Sequence, residues 1–208
     1  MKRAARAPPV RPAARPGRGN RTRPRTEWER LSAEIRSCRK CPLGAVRTHA
    51  VVYRGGRHPR VVFVGEAPGA EEDRTGVPFV GRSGHELDRA VASLGLSAEE
   101  FGVLNVLKCR PPKNRFDRAA ARTCRPYLDR QLALLRPEVI VTLGGRALAA
   151  IDPSTPAVLT AAGRAREGTD PAHFPLLHPA AALRSLRWRA RWEKDLKALA
   201  QWLTERRA

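Results

Sequence analysis

The chain has 208 residues, with 40 Lys and Arg against 20 Asp and Glu, giving a formal net charge of +20. This length supports one sizeable hydrophobic core. No segment approaches the roughly 18 apolar residues that a membrane helix needs. No apolar stretch follows Lys2 and Arg3, as one would in a secretory signal. We therefore expect a cytoplasmic monomer that does not bind membranes.

The first 26 residues differ in composition from the rest of the chain. Residues 1–26 hold nine Lys and Arg, five Pro and no Asp or Glu, so they cannot bury enough apolar surface to fold. We predict a disordered basic arm at 1–26 and a single domain at 27–208. In that domain 31 basic residues stand against 20 acidic ones, an excess of 11. Such an excess is typical of proteins that bind a phosphate backbone, although a genome bias towards arginine is the alternative.

Four cysteines make up the entire thiol content of the chain: Cys38, Cys41, Cys109 and Cys124. The first two form a C-x-x-C pair, which places two thiolates on one metal ion or on one edge of a cluster. The spacing is typical of an iron–sulfur cluster or a structural zinc site, and unligated thiols are the third interpretation. Disulfides are disfavoured because cytosolic thiols stay reduced.

A buried strand is the first clear element after the C-x-x-C pair. The apolar run Val61 to Val64 predicts this strand, which ends at Gly65 and is followed by a loop rich in Gly, Pro and acidic residues. A helix with apolar residues at intervals of three and four begins at Ser83 and closes at Gly95. Strand, glycine-rich loop and helix together are typical of a ligand site in α/β proteins. The loop is not a Walker motif, since no G-K-[ST] follows its glycines.

Strand and helix patterns alternate through the remainder of the chain. In order, they predict a strand at Phe101–Leu107, a helix at Asp117–Leu135, a strand at Val139–Leu143, a short helix through Ile151, a strand at Phe174–Leu177 and a helix at Trp188–Leu203. This alternation predicts an α/β fold with a central, mostly parallel four-stranded sheet flanked by helices. Gly65, Asn105 and His178 would then lie at one edge of that sheet.

Three segments resemble the motifs of the family 4 uracil-DNA glycosylases, the iron–sulfur members of their superfamily. They are GEAPGAEEDRTGVPFVGRSG (65–84), NVLKCRPPKNR (105–115) and LHPAAALR (177–184). The cysteine spacing is also similar, and the resemblance extends from about Ser37 to Leu203. It implies a uracil-DNA glycosylase-like fold, a [4Fe–4S] cluster on the four cysteines and uracil-containing DNA as the partner. The implied reaction is release of uracil from DNA, leaving an abasic site, which would associate the protein with the nucleoid.

Three motif residues have side chains suited to that chemistry. His178 would stabilise the negative charge on the uracil O2 as the glycosidic bond breaks. The carboxamide of Asn105 matches the O4 acceptor and N3–H donor of uracil. Phe79 offers an aromatic face on which the flipped base can stack. The structural alternatives are a histidine that only packs or caps, an asparagine that caps a strand end and a core phenylalanine.

Three residues of the first motif bear on specificity and on the attacking water. The resemblance places Glu72 against C5 of the base, where an acid would exclude the methyl group of thymine, whereas Glu66 is expected to brace the loop. Faster relatives in the superfamily carry an Asp at the position of Ala67, and an alanine methyl cannot hold a water. The water must therefore be positioned by backbone carbonyls or a neighbouring side chain, or be activated by the charge of the substrate.

The third motif has small residues where many relatives carry larger ones. Ala181 and Ala182 precede Leu183 and Arg184, so Leu183 is expected to fill the space that the extruded base leaves, and Arg184 to contact DNA. A non-catalytic iron–sulfur or zinc DNA-binding module of the same fold is the main alternative function. A small-molecule enzyme of α/β type is a second alternative, which the positive charge disfavours.

Overall fold

The computed structural model of the protein describes residues 26–155, 157–166 and 168–206. The basic arm predicted for residues 1–26 therefore lies outside the described residues, except for Thr26. Thr26 caps the first helix: its side chain accepts a hydrogen bond from the backbone N–H of Glu29, and the Glu29 carboxylate accepts one from the backbone N–H of Thr26. The boundary between arm and domain stays a prediction.

A five-stranded sheet forms the centre of the fold. Its strands are β1 (Arg54–Gly55), β2 (Val61–Gly65), β3 (Phe101–Asn105), β4 (Val139–Leu143) and β5 (Ala172–Leu176). Their order is β1-β3-β2-β4-β5, and every neighbouring pair is parallel except β1 with β3. The mostly parallel α/β architecture is confirmed, but the prediction of four strands is wrong. The additional strand, β1, has two residues and is too short to show an alternating pattern.

Helices cover the sheet and form most of the connections between its strands. They are α1 (Glu27–Ser37), α2 (Leu43–Val46), α3 (Ala70–Thr75), α4 (Arg82–Ser93), α5 (Arg118–Leu135), α6 (Gly145–Ile151), α7 (Val158–Ala161), α8 (Pro179–Ala182) and α9 (Leu186–Glu205), with one turn of 3-10 helix at Pro112–Asn114. Helices α4, α5, α6 and α9 confirm the four predicted helices to within a few residues at their ends. The five others were not predicted.

Each face of the sheet packs against different helices. Val61 and Phe63 of β2 lie in a buried cluster with residues of α4 and α9, whereas Val62 and Val64 lie in a second cluster with residues of α5 and α6. Every residue of β2 is buried, as expected for a central parallel strand with both faces covered. The apolar side of α9 joins the first cluster, which confirms the stripe predicted for that helix.

The parallel strands end together at one edge of the sheet. Gly65 at the end of β2 is paired with Asn105 at the end of β3, and Leu143 of β4 is paired with Leu176 of β5. The loops that follow these strands are therefore brought side by side, and they include all three motifs. Among the residues that the structure describes, no helix is long and apolar enough to span a membrane.

Candidate active site

A cleft of about 650 Å³ opens at the carboxyl ends of β2, β3 and β5. Residues of all three motifs line it, among them Glu66, Ala67, Glu72, Phe79, Asn105, His178 and Arg184. Pockets in open parallel sheets form at this edge because the loops that leave adjacent strands diverge there. The structure thus brings the predicted catalytic and recognition residues together, with the exception of Leu183, which is not part of the lining.

The side chain of Asn105 forms the buried floor of the cleft. Its amide nitrogen and oxygen are both buried, and neither has a hydrogen-bond partner among the described residues. A buried carboxamide without partners is rare, because its desolvation is not compensated. Gly65 makes room for it: a Cβ there would lie 2.4 Å from Oδ1 of Asn105. The floor therefore presents one donor and one acceptor to whatever enters the cleft.

Lys108 supports this floor from below and was not predicted as a site residue. Its side chain is fully buried, and Nζ donates a hydrogen bond of 2.5 Å to the backbone carbonyl of Asn105. Burial lowers the pKa of Lys108 to about 7, against the opposing effect of the Cys124 and Cys109 thiols. The sequence contained a signal for this role, because Lys108 interrupts the otherwise apolar run after β3. A buried lysine needs a partner, since an unpaired charge is rarely buried.

Two rings form one side of the cleft. The rings of Phe79 and His178 are stacked, with centroids 5.9 Å apart and an angle of 28° between their planes. Phe79 has a φ of 55°, in the left-handed region that a bulky residue rarely adopts. The backbone of Phe79 passes so close to Gly84 that a Cβ at that glycine would lie 1.9 Å from the Phe79 carbonyl oxygen. Strained backbone of this kind is concentrated at functional sites.

His178 is held in a defined orientation at the start of α8. Its Nδ1 accepts a hydrogen bond of 3.1 Å from the backbone N–H of Ala180. Burial lowers the pKa of His178 to about 4, with a further contribution from Arg184 and an opposing one from Glu72. The ring is therefore neutral at pH 7, and because Nδ1 accepts, its proton is on Nε2. This arrangement makes Nε2–H a hydrogen-bond donor.

Glu72 holds the loop that forms the opposite wall. One carboxylate oxygen accepts hydrogen bonds from the backbone N–H groups of Val80 and Gly81, at 3.0 and 2.8 Å, and the other accepts one from Gly69 at 3.0 Å. Both oxygens are thus engaged by the loop itself. The sequence suggested that Glu66 braces this loop, but these contacts show that Glu72 does so. The predicted position of Glu72 against C5 of the base stays a prediction.

Glu66 and Ala67 follow β2 directly and both line the cleft. Burial raises the pKa of the Glu66 carboxyl above its ordinary value, and the charge of Arg146 opposes this effect. Ala67 also packs against the cluster of buried residues that contains Cys109 and Cys124. The first motif therefore lies between the cleft and the buried cluster that contains two of the cysteines.

The rim of the cleft is formed by the end of α8. Arg184 is exposed and lines the cleft, as expected for a residue that contacts DNA. Leu183 is partly buried and lies at the carboxyl end of α8, where its backbone N–H donates to Ala181. Its predicted role in filling the space of the extruded base stays a prediction.

Comparisons with known proteins agree with this geometry. Residues 52–203 match the family model described as the uracil DNA glycosylase superfamily. A type-4 uracil-DNA glycosylase of Sulfurisphaera tokodaii is 37% identical over 183 residues, which cover 83% of either chain. Another from Archaeoglobus fulgidus is 40% identical over 177 residues, 81% of this chain and 89% of the relative. The chain belongs to the type-4 uracil-DNA glycosylase family.

A type-5 uracil-DNA glycosylase of Mycobacterium leprae is also similar, but over a shorter range. It is 32% identical over 150 residues, which cover 55% of this chain and 66% of the relative. The two type-4 relatives named above match over a larger share of this chain and over a larger share of their own chains. The resemblance found in the three motifs is thus confirmed at the level of the family.

The four cysteines of this type-4 family member come from three segments of the chain. Cys109 and Cys124 belong to one buried cluster, and the partly buried Cys41 packs against it. Cys38 is close enough for its charge to affect the pKa of Cys109. Burial raises the pKa of both Cys109 and Cys124. In the described ranges the thiols are not arranged around one centre in the geometry of a metal site, although their proximity and soft donor chemistry suit an iron–sulfur cluster.

Two N–H donors point at these thiols. A guanidinium nitrogen of Arg47 donates to Sγ of Cys109 over 3.0 Å, and the backbone N–H of Lys108 donates to Cys124. Both bonds favour the thiolate over the thiol, because they stabilise the negative charge. Hydrogen bonds to sulfur are also among the interactions that tune iron–sulfur clusters. Arg47 was not predicted as a site residue, and its position in the sequence gives no motif by which to find it.

Proposed function

We propose that this protein removes uracil from DNA by hydrolysing the bond between C1′ of the deoxyribose and N1 of the base. The observation that carries the proposal is the buried Asn105 carboxamide, which has no hydrogen-bond partner in the part of the chain that the structure describes. Uracil offers an acceptor at O4 and a donor at N3, which are the two groups that this amide lacks. Cytosine offers the opposite pair and would be rejected.

The remaining lining residues have separate tasks in this reaction. Phe79 stacks on the flipped base, which is worth about 1–3 kcal/mol for one aromatic side chain. As the C1′–N1 bond breaks, its electron pair goes to the base, and Nε2–H of His178 donates a hydrogen bond to the negative charge on O2. A water adds its hydroxyl to C1′ to give the abasic site, and its proton goes to solvent or to the departing uracil. Arg184 binds the phosphate backbone at the rim.

The attacking water is held without a carboxylate at position 67. Backbone carbonyls of the loop after β2, or the Glu66 side chain that lines the same cleft, position it. The partial positive charge that builds on the sugar increases its reactivity. This arrangement predicts a slower reaction than in relatives with an aspartate at this position.

We further propose that Cys38, Cys41, Cys109 and Cys124 bind a [4Fe–4S] cluster. The four-thiol donor set, the burial of two thiols and the N–H donors from Arg47 and Lys108 support this ligation. When bound, the cluster supplies crosslinks between the segment after α1, the loop after β3 and helix α5. The Lys108 contact lies between these cysteines and Asn105, so the cluster would also support the floor of the cleft.

Two experiments test these proposals. Oligonucleotides that contain uracil, or thymine at the matched position, are incubated with the protein and treated with alkali. We expect strand cleavage only at uracil; intact uracil strands under single-turnover conditions would identify a non-catalytic DNA-binding protein.

The second experiment tests the cluster: the protein purified without oxygen should be brown and hold about four irons per chain. A colourless preparation that contains zinc would contradict the cluster and indicate a zinc site instead. Cys109→Ser should impair folding in either case.

A further inference from the structure

Lys108 is the only lysine or arginine that is buried among the described residues, and 1% of its surface is exposed. Burial of a lysine is unfavourable, because its amine loses contact with water and its long side chain loses rotamer freedom. In the described part of the chain, the groups whose charge acts on its Nζ are the thiols of Cys124 and Cys109, and no carboxylate is among them. An unfavourable feature of this kind is expected mainly where function requires it.

The backbone around Lys108 is held by three other segments. The carbonyl of Lys108 accepts a hydrogen bond of 2.8 Å from the N–H of Val51, which precedes β1. The N–H of Lys108 donates to Cys124 of α5. Two residues earlier, the N–H of Val106 donates over 2.9 Å to the carbonyl of Gly65 at the end of β2. The turn after β3 is therefore fixed, and the point from which the Lys108 side chain extends is fixed with it.

The side chain of Lys108 folds back over this turn to the end of β3. Its Nζ donates a hydrogen bond of 2.5 Å to the backbone carbonyl of Asn105. The carboxamide of Asn105 has no hydrogen-bond partner among the described residues, so its orientation depends on packing and on the backbone from which it extends. By holding that carbonyl, Lys108 limits how far Asn105 can shift or tilt in the floor of the cleft.

We propose that Lys108 is a positioning residue for base recognition, which holds Asn105 where its carboxamide meets O4 and N3–H of uracil. The proposal rests on the proposed function of Asn105. Lys108 does not line the cleft, so it acts through Asn105 and does not touch the base. Groups that recognise a ligand must be held to within about 0.5 Å of the productive geometry, and one hydrogen bond to the backbone of Asn105 restrains it on this scale.

The first test is Lys108→Met, which keeps a long side chain in the buried space but removes the donor. Single-turnover cleavage of uracil should fall about ten- to a hundred-fold, as expected for a small misplacement of a recognition group. Affinity should fall for DNA that contains 2′-fluoro-2′-deoxyuridine, a uracil nucleotide whose glycosidic bond resists cleavage. Affinity for the same DNA with thymine at that position should not change, because Lys108 is not at the surface.

Gln131→Met is the matched control. Gln131 is also fully buried, and its Nε2 donates a hydrogen bond of 2.9 Å to a backbone carbonyl, that of Val52. Its removal should lower the free energy of unfolding without a change in cleavage by the folded protein. Lys108→Gln retains a donor on a shorter side chain, so it should lose less cleavage than Lys108→Met. It also replaces Lys108→Met in every comparison if that variant does not fold.

A double-mutant cycle with Asn105→Ala separates positioning from general support of the fold. If Lys108 acts through Asn105, Lys108→Met should cause almost no further loss of cleavage in the Asn105→Ala protein, whereas independent effects multiply. Multiplied losses, or cleavage by Lys108→Met at the unchanged rate, overturn the proposal. A fall in iron per chain that accounts for the loss also overturns it, since Lys108 would then act on the cysteines. Failure of the unchanged protein to cleave uracil would instead refute the proposed function, so the two failures are distinguishable.

Discussion

The floor and the wall of the cleft treat their polar side chains in opposite ways. On the floor, the amide of Asn105 has no partner in the described part of the chain. In the wall, the carboxylate of Glu72 accepts three hydrogen bonds from the backbone of its own loop. The hydrogen bonds of Glu72 thus fix the conformation of the loop, whereas the side-chain groups of Asn105 are available to bind a ligand.

This difference predicts where the effect of a substitution appears. A change in the wall leaves backbone N–H groups without acceptors in the free protein, so the free energy of unfolding should fall. A change on the floor removes no bond within the free protein, so the loss of base recognition should appear only when a base is bound, although a substitution that adds a buried charge also lowers the free energy of unfolding. The five experiments below test this division, from the largest expected effect on excision to the smallest.

Asn105→Asp should have the largest effect on uracil excision. The substitution places a charged acceptor opposite the O4 acceptor of uracil, and an uncompensated buried charge of this kind costs about 3–5 kcal/mol. Single-turnover cleavage of uracil should fall about 10³-fold, while binding to cytosine, whose amino group donates, should be weakened less. Equal losses on the two bases would contradict the role of Asn105 in reading the base.

His178→Ala should impair bond cleavage rather than binding. Removal of one donor to a developing anion costs about 10²–10³ in rate, and uracil-containing DNA should still bind with nearly unchanged affinity. The measurement combines single-turnover kinetics with a binding titration on the same oligonucleotide. Cleavage at the unchanged rate would show that the charge on the departing uracil is stabilised elsewhere.

Glu72→Gln should reduce stability more than it reduces excision. The amide can still accept at one atom, but its NH₂ would face one of the loop N–H groups, so we expect a loss of about 1–3 kcal/mol in the free energy of unfolding. Glu71→Gln is the matched control, since Glu71 is exposed and, among the described residues, its carboxylate pairs only with Arg74, an interaction worth little. Cleavage of thymine by Glu72→Gln would support the predicted contact with C5.

Deletion of residues 1–25 should change DNA affinity but not the rate of cleavage at saturating protein. The deletion removes nine positive charges and retains Thr26, which caps α1. The dependence of affinity on salt should become less steep, by about 0.9 for each phosphate contact that is lost. An unchanged salt dependence would mean that the arm does not contact phosphates.

The pH dependence should show the smallest effect. Since the pKa of His178 is lowered to about 4, the ring does not change its charge near pH 6.5. The pH profiles of single-turnover cleavage by the unchanged protein and by His178→Ala should therefore have the same shape near pH 6.5. Stability should respond in that range: between pH 6.5 and 4 the unfolded chain binds a proton at His178 that the folded chain does not. The contribution of His178 to the free energy of unfolding is therefore complete above pH 6.5 and is lost as the pH falls to 4. Denaturant titrations of the unchanged protein and of His178→Ala across this range can measure it.

Sequence patterns predicted the parts of the fold with a strong periodic signal. The central strand Val61–Gly65 and the stripe of α9 could be predicted because burial on both faces, or on one face, selects apolar residues at fixed intervals. Helix α1 was missed although the pattern Thr26-x-x-Glu29 is a capping-box signature. The strand β1 could not be predicted, because two residues carry no period.

Motif similarity predicted which residues line the cleft, but not how they are bonded. Asn105 and His178 could be placed because each comes at or just after the end of a strand. The contacts of Glu72 could not be predicted, since its partners are backbone N–H groups whose positions depend on the fold of the whole loop. The Lys108 bond to the Asn105 carbonyl depends in the same way on the turn after β3.

Gly65 has a consequence for how such a site can evolve. A Cβ at this position would lie 2.4 Å from the side-chain oxygen of Asn105 and 2.5 Å from the ring of Phe79. One absent methyl group therefore sets the space available to the residue that reads the base and to the residue that stacks on it. A side chain at position 65 would have to displace both of these side chains, so we expect substitutions at the three positions to be epistatic and a new base specificity to be more accessible through changes elsewhere in the cleft.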